Sequence, residues 1–174
     1  SITIPGDALN DHAFFTNGLY EHSPITHVSI ADGSTEIASE LFRAFPNLTS
    51  VTIPDSVTSI GDKAFYDCSL LTSINIPDSV TSIGDQAFYG CTSLTSINIP
   101  KNVTSIGKRV FEGCAAIESI TVDENNTVYH SAGNCIIETE SKTLITGCKT
   151  SVIPDDGSVT SIGDYAFYGC NSLT

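Results

Sequence analysis

The chain of 174 residues carries 20 acidic and only 7 basic residues, which gives a formal net charge of −13. This charge would repel a phosphate backbone, so nucleic acid is excluded as a partner. No apolar run approaches the ~18 residues of a membrane-spanning helix, so we expect no membrane insertion by this segment. The length fits a single domain.

The N-terminal residues 1–24 are predicted to form an irregular repeat. Ile2 and Ile4 alternate with polar residues, as in a short strand with one apolar face. The equivalent residue of the next unit is Ile30, and this interval is wider than the one that separates the later units. Terminal repeats are commonly atypical, and we place the first regular unit at 25–47.

Three nearly identical units follow, at 48–70, 71–93 and 94–116. A fixed period of about 20–50 residues is typical of a solenoid, in which each unit needs a neighbour on either side to bury its apolar residues. Stacking would make a parallel sheet from the strands and a continuous core from the apolar columns. The columns recur at a spacing of 23 as Ile53, Ile76 and Ile99, as Phe65, Phe88 and Phe111, and as Cys68, Cys91 and Cys114.

The first half of a unit predicts extended chain. In 71–93, Ile74 and Ile76 would share one face of a strand, and Pro77 suits the end of that strand because it lacks an N–H group. The next run, Val80–Ile83, has β-branched residues at three of its four positions. It predicts a bend or a second short strand.

The second half of the unit predicts one helical turn. Ala87 and Phe88 precede Cys91 by four and three residues, which places the three side chains on one helical face. Asp85 is a plausible N-cap and Gly90 suits the end of a short helix. In the unit 94–116, Lys108 replaces this Asp. A positive charge at a helix N-terminus is unfavourable, so either the turn frays or Lys108 and Arg109 serve a partner; a tolerated surface change is the third interpretation.

The unit 117–147 is longer than the others, because the spacing from Val122 to Ile153 is 31 instead of 23. Two short apolar runs, Asn134–Ile137 and Thr143–Ile145, predict a hairpin with its tip at 138–142. Additions to a repeat project from one face, which is often the binding face. Alternatively, the hairpin plugs or stiffens the stack and uses its apolar residues to cover a coil.

A last, truncated unit at 148–174 returns to the repeat pattern. Since the chain starts without Met and stops as a new unit would begin, we expect it to belong to a longer protein. The repeat cysteines, with Cys170 as the fourth, are predicted to be buried free thiols that pack as small apolar groups. Cys135 and Cys148 lie outside the pattern, and whether they form a disulfide stays open.

The pattern Leu-x-x-Ile-x-Ile-Pro-x-x-Val-Thr-x-Ile-Gly-x-x-Ala-Phe-x-x-Cys, present at 48–70, 71–93 and 94–116 and in part at 153–173, resembles the BspA-type leucine-rich repeat. The resemblance implies an α/β repeat solenoid: a right-handed leucine-rich-repeat coil with a concave parallel β-sheet, and short helical turns or second short strands on its other faces. It also implies a cell-surface or secreted protein linked to adhesion.

The sequence predicts no enzyme, no metal site and no cofactor. The four histidines have no repeated partner Ser, Cys or carboxylate, and the glycines are corner residues of the repeat. Two acidic stretches, 123–126 and 155–157, offer oxygen ligands, but neither has EF-hand spacing and turn chemistry explains both.

Two surface columns are the candidate ligand-binding sites. The first lies on the outward face of the strands, where short uncharged residues suit either binding or cross-strand hydrogen bonding. The second is a row of tyrosines, interrupted by Glu112 and preceded by Arg43, which suits either an interface or packing over the next coil. The candidates are Ser50, Thr52, Ser73, Asn75, Ser96, Asn98, Ser119 and Thr121 on the strands, and Tyr66, Tyr89 and Tyr168 in the row.

The predicted function is that of a non-catalytic cell-surface or secreted recognition or adhesion module. Its partner would be an extracellular or host protein, or a glycan, bound by a monomer through the sheet face or the tyrosine edge. The competing hypotheses are a passive stalk that spaces another domain, and a hydrolase with a pocket of convergent His and carboxylate groups.

Overall fold

The structure, a computed structural model, describes residues 2–4 and 24–170. Most of the predicted irregular repeat 1–24, including His12 and His22, lies outside the described residues, as does the end of the last unit at 171–174. The described chain is a stack of coils in which each strand lies parallel to its copy in the next coil. No helix long and apolar enough to cross a membrane occurs among these residues.

Thirteen short strands make up the regular structure of the described residues. In chain order they are β1 (Ile2–Ile4), β2 (His27–Ile30), β3 (Glu36–Ile37), β4 (Ser50–Thr52), β5 (Ser59–Ile60), β6 (Ser82–Ile83), β7 (Ser96–Ile99), β8 (Ser105–Ile106), β9 (Ser119–Val122), β10 (Tyr129–Ala132), β11 (Cys135–Glu138), β12 (Thr143–Thr146) and β13 (Ser161–Ile162).

The predicted parallel sheet is present but divided. Strands β1, β2 and β4 form one part and β7 and β9 the other, and equivalent residues pair across each part, as in Ser96 with Ser119. Between the two parts, 73–76 forms no strand. The pentapeptide Ser-Ile-Asn-Ile-Pro at 73–77 is repeated at 96–100, where its first four residues do form β7. The local sequence therefore does not account for the division.

The predicted second short strand is confirmed. Strands β3, β5, β6 and β8 form a parallel sheet on another side of the coil, in the order of the chain. Its register joins Ser59 to Ser82 and Ser82 to Ser105, so equivalent residues of successive units are paired. Ile60 and Ile83 point inward from it and are almost completely buried.

The predicted helical turns are wrong, because no helix occurs within residues 2–4 and 24–170. The residues with this apolar spacing form hydrogen-bonded turns instead. The second residue of each turn has a positive φ, which is 54° at Lys63, 55° at Gln86 and 57° at Arg109. Within the turn, Tyr66 N–H donates to the Lys63 carbonyl at 3.1 Å, whereas Phe65 N–H donates to the next coil. A helix would keep both bonds inside one coil, so the bonding between coils has displaced it.

A column of aromatic rings forms the centre of the core. The rings of Phe42, Phe65, Phe88 and Phe111 lie parallel, with successive centroids 5.2, 5.3 and 5.6 Å apart. The first three are fully buried. Burying one Phe contributes on the order of 1.5–3 kcal/mol, so the column is a main source of the stability of the stack.

The predicted hairpin of the long unit is confirmed, and it has a third strand. Strands β10, β11 and β12 are antiparallel, and β12 continues in parallel to β13 of the last unit. Ile136, Ile137 and Leu144 are fully buried. This burial favours the interpretation in which the hairpin covers a coil.

Side chains of the inserted strands also close the open edges of two coil strands. Tyr129 Oη accepts a hydrogen bond from Ile106 N–H at 3.2 Å, at the end of β8. Asn134 Oδ1 and Ser131 Oγ accept bonds from two N–H groups of β9 at 3.2 and 3.1 Å. These side chains occupy the place of the carbonyls that a further coil would supply.

Candidate binding site

The eight candidate residues on the strands do not form one continuous surface. Ser73 and Asn75 are exposed but belong to no strand, because they lie in the gap of the divided sheet. On the β7–β9 side, Thr121 Oγ1 donates to Asn98 Oδ1 at 2.9 Å. These two side chains therefore already take part in the cross-strand hydrogen bonding that was the alternative to a binding role.

At the other part of the sheet, two strand candidates lie beside His27. His27 Nδ1 lies 2.7 Å from Ser50 Oγ, and its Nε2 lies 3.4 Å from Thr52 Oγ1. The sequence placed Ser50, Thr52, Ser96, Asn98, Ser119 and Thr121 on one face, and the structure brings together the first two separately from the other four.

The tyrosine row is a mixed stack of tyrosine and arginine, which we call the Arg–Tyr ladder. Tyr66 and Tyr89 stack with centroids 4.6 Å apart and planes only 4° from parallel. Arg43 lies 5.3 Å from the Tyr66 ring, and Arg109 lies 5.7 Å from the Tyr89 ring and 4.8 Å from that of Tyr165. A guanidinium at these distances from a ring face is attracted by the negative potential of the ring.

The third tyrosine candidate lies beside the ladder. Tyr168 meets Tyr165 edge to face, with centroids 6.2 Å apart. Arg109 and Tyr165 were not predicted as members because each lies three residues before the tyrosine position of its unit, which Glu112 and Tyr168 occupy. The available signal was the spacing of Arg109 and Glu112, since residues three apart in a turn are neighbours.

Glu112, predicted to interrupt the row, holds Arg109 in place. Its side chain is 1% exposed, and it accepts hydrogen bonds from both Nε and Nη2 of Arg109, the second at 2.7 Å. A buried carboxylate is costly unless it is paired, so this fork-to-fork contact fixes the guanidinium between two tyrosine rings.

A row of aspartates explains why Lys108 differs from its counterparts. Asp62 Oδ1 accepts the N–H of Asp85 at 2.8 Å, and Asp85 Oδ1 accepts the N–H of Lys108 at 2.7 Å. Each carboxylate therefore caps the following coil. The prediction that Asp85 would cap its own turn is wrong. The unit 117–147 has no such turn to receive a bond from position 108, so an acceptor there would have no donor.

The missing turn leaves a cavity of about 170 Å³, which we call the interturn cavity. One wall is the turn 106–112, the opposite wall is formed by residues 163–165 with Tyr168, and residues 145–147 of the hairpin form the floor. Arg109, Glu112 and both tyrosines of the last unit line it. It therefore lies at the end of the Arg–Tyr ladder.

The cysteines are structural donors. The thiols of Cys68, Cys91 and Cys114 donate to backbone carbonyls of the preceding coil at 2.9, 3.2 and 3.0 Å. Burial raises the pKa of Cys68 to about 12, so this thiol stays protonated and unreactive at neutral pH. Cys135 and Cys148 are also free and buried.

The acidic stretches are turns. Asp123 Oδ1 accepts hydrogen bonds from the N–H and Nδ2 of Asn125, and Asp156 Oδ1 accepts the N–H of Ser158. Across the described ranges no group of three or more His, Cys, Asp or Glu side chains is arranged to hold a metal ion.

Stacked coils that mostly repeat every 23 residues, parallel strands and buried columns of Phe and Cys define the class of repeat solenoids. Within that class, the pattern of the BspA type leucine rich repeat region matches six times, over residues 13–135 and 137–174. The chain belongs to this family. No curated protein sequence matches it significantly.

Several solved structures share the fold. A leucine rich cell surface protein from Faecalibacterium prausnitzii A2-165 is 26% identical, with a TM-score of 0.70 over 98% of this chain and 58% of its own. The leucine rich repeat protein TpLRR of T. pallidum is 24% identical, with a TM-score of 0.68 over 99% of this chain and 72% of its own. The pneumococcal vaccine antigen PcpA is 19% identical, with a TM-score of 0.68 over 99% of this chain and 49% of its own.

Proposed function

We propose that the chain is a non-catalytic recognition or adhesion module of a cell-surface or secreted protein, and that it binds an extracellular protein or glycan through the Arg–Tyr ladder. The observation that carries this proposal is the ladder itself. Five side chains, each from a different unit, line up along one edge, and Arg43 and Tyr165 are exposed at its ends. The similarity to a protein described as a leucine rich cell surface protein supports the location.

The chemistry of the ladder suits recognition. Tyrosine and arginine are the residues enriched at the energetic centres of protein interfaces, because they offer a large contact area together with a polar end. Stacking limits the rotation of the rings and of the guanidinium, so little side-chain entropy remains to be lost on binding. Both arginines are paired with carboxylates, Arg43 with Glu40 at 3.0 Å and Arg109 with Glu112, so this edge would select a partner by contact area and hydrogen bonding and not by net charge.

The test is a binding screen against extracellular matrix proteins and glycans with matched variants. The double variant Tyr66→Ala/Tyr89→Ala removes the centre of the ladder, and we expect it to weaken binding about tenfold or more, or about 1.4 kcal/mol. The control Asn75→Ala changes an exposed residue in the gap between the two parts of the sheet and should bind as the wild type does. Equal losses in both would contradict a site on the ladder.

A passive stalk is the second candidate, since the stacked tyrosines also stabilise contacts between coils. A stalk would show no saturable binding to any ligand in the screen, and the double variant would then differ from the wild type only in thermal stability.

A further inference from the structure

The interturn cavity has a wall of hydrogen-bond donors. In the preceding unit, Gln86 N–H donates to the Lys108 carbonyl at 2.9 Å and Phe88 N–H to the Val110 carbonyl at 3.0 Å. The equivalent N–H groups one coil later belong to Arg109 and Phe111. Both residues line the cavity, and no residue of 2–4 or 24–170 accepts a backbone hydrogen bond from them.

The opposite wall presents acceptors. In the regular units, the carbonyls of Asp62 and Asp85 each accept an N–H from the preceding turn at 2.8 Å. Their counterpart in the last unit is the carbonyl of Asp164, which receives no backbone donor within the described chain. The neighbouring carbonyl of Ala166 is occupied by Gly147 N–H at 2.9 Å.

An occupant of the cavity therefore has to accept hydrogen bonds on one side and donate on the other. A hydroxyl group does both through a single oxygen, whereas an ionised carboxylate only accepts. The charges of the lining point the same way, because Lys108 and Arg109 are balanced by Glu112 and Asp164. Arg109 and Glu112 are already paired with one another, so no net charge is left to attract an anion.

Two aromatic rings are available to an occupant. Tyr165 and Tyr168 are 54% and 60% exposed, although they are among the largest side chains of the last unit. Their edge-to-face arrangement presents two surfaces at 66° to one another. A sugar ring has C–H groups on its faces and hydroxyls on its rim, so it can pack on such a surface while its rim forms hydrogen bonds.

The size of the cavity limits the ligand. Its volume of about 170 Å³ is smaller than the ~300–1,000 Å³ of sites that enclose drug-sized molecules. It has room for one ring, with the remainder of any larger molecule outside.

We propose that the interturn cavity binds a single neutral sugar ring, presented at the end of a glycan chain. This inference rests on the proposed function and narrows it, since it assigns the glycan to the cavity and leaves the rest of the ladder to other contacts. The site exists because the long unit lacks a turn, so a ligand here takes the place of a missing piece of the solenoid.

The test uses methyl glycosides of neutral hexoses and N-acetylhexosamines, with methyl glucuronoside and inorganic phosphate as anionic probes. Binding is measured by saturation-transfer NMR and titration for the wild type, Tyr165→Ala, Tyr168→Ala and the control Leu70→Ala, which truncates an exposed side chain outside the cavity and the ladder. We expect saturable binding of at least one neutral glycoside, about tenfold weaker in each of the two cavity variants and unchanged in the control.

Three results would overturn the inference: no binding of any neutral glycoside, binding of the anionic probes only, or equal affinity in the wild type and both cavity variants. Each is distinguishable from failure of the proposed function. Loss of binding in Tyr66→Ala/Tyr89→Ala with a macromolecular ligand would still support the ladder as a recognition site.

Discussion

The phenylalanine column allows a sharp test of how the coils support one another. Phe88 is fully buried between Phe65 at 5.3 Å and Phe111 at 5.6 Å. Truncating a buried Phe to Ala costs about 3–5 kcal/mol, and each lost ring pair contributes about 0.5–1.5 kcal/mol of its own. Because Phe88 loses two ring pairs, we expect Phe88→Ala to cost about 5 kcal/mol, the upper end of the range.

The matched variant is Phe111→Ala. Phe111 has one stacked phenylalanine neighbour and lines the interturn cavity, so its truncation loses one ring pair and leaves a space that water can enter. We expect a cost of about 3 kcal/mol. Urea denaturation followed by far-UV circular dichroism measures both, with the midpoints compared because repeat proteins can depart from two-state unfolding. If Phe111→Ala is as destabilising as Phe88→Ala, the cost does not depend on the number of ring pairs lost, and the reasoning is wrong.

Three further predictions concern a corner glycine, a buried thiol and the tip of the hairpin. Gly84→Ala should be destabilising by about 1–3 kcal/mol, because its Cβ would lie 2.6 Å from the backbone N of Asp62; the exposed control Ser73→Ala should not change the urea midpoint. The stability of the wild type should be unaffected by Cys68 below pH 9 and fall between pH 9 and about 12, where the unfolded thiol loses its proton and the buried one keeps it; a Cys68→Ala variant with the same pH slope would contradict this. Replacing the tip 138–142 by a short Asn-Gly turn should lower stability slightly, because Glu138 pairs with both neighbouring strands and the Lys142 carbonyl accepts the Thr160 N–H at 2.9 Å. Ligand binding should stay intact, and a selective loss of binding would show that the tip is a recognition element.

The constant period of the repeat predicted most of the fold because equivalent residues occupy equivalent places. Ile60 and Ile83 pair in register, and the Phe and Cys columns are stacked as expected. The helical turns could not be distinguished in this way. Apolar residues three and four apart suit a helix and also a turn with a left-handed residue, and Lys63 and Gln86 carry no sign of their positive φ.

The candidate site was predictable only where it follows the repeat. Tyr66 and Tyr89 stack because they occupy the same position in successive units. Arg109 and Tyr165 join them because the intervening unit has a hairpin in place of its turn. The broken period from Val122 to Ile153 indicated the hairpin, but nothing in it indicated the contact that the hairpin allows. The cavity has the same origin. The sequence therefore indicated the edge of the solenoid on which to look, and the three-dimensional arrangement defined the site.

The hydrogen bonds between turns also make the two ends of the stack chemically different. Along this edge, the N–H groups that bond between coils point towards the following coil, as from Phe42 to Ala64 and from Phe65 to Ala87. At the corners they point back, as from Gly84 to Ile60. If two chains met through the ends towards which these N–H groups point, donors of this edge would face donors. Twofold pairing of two chains through like ends is disfavoured, while head-to-tail contact continues the bonding of the stack without a change of pattern.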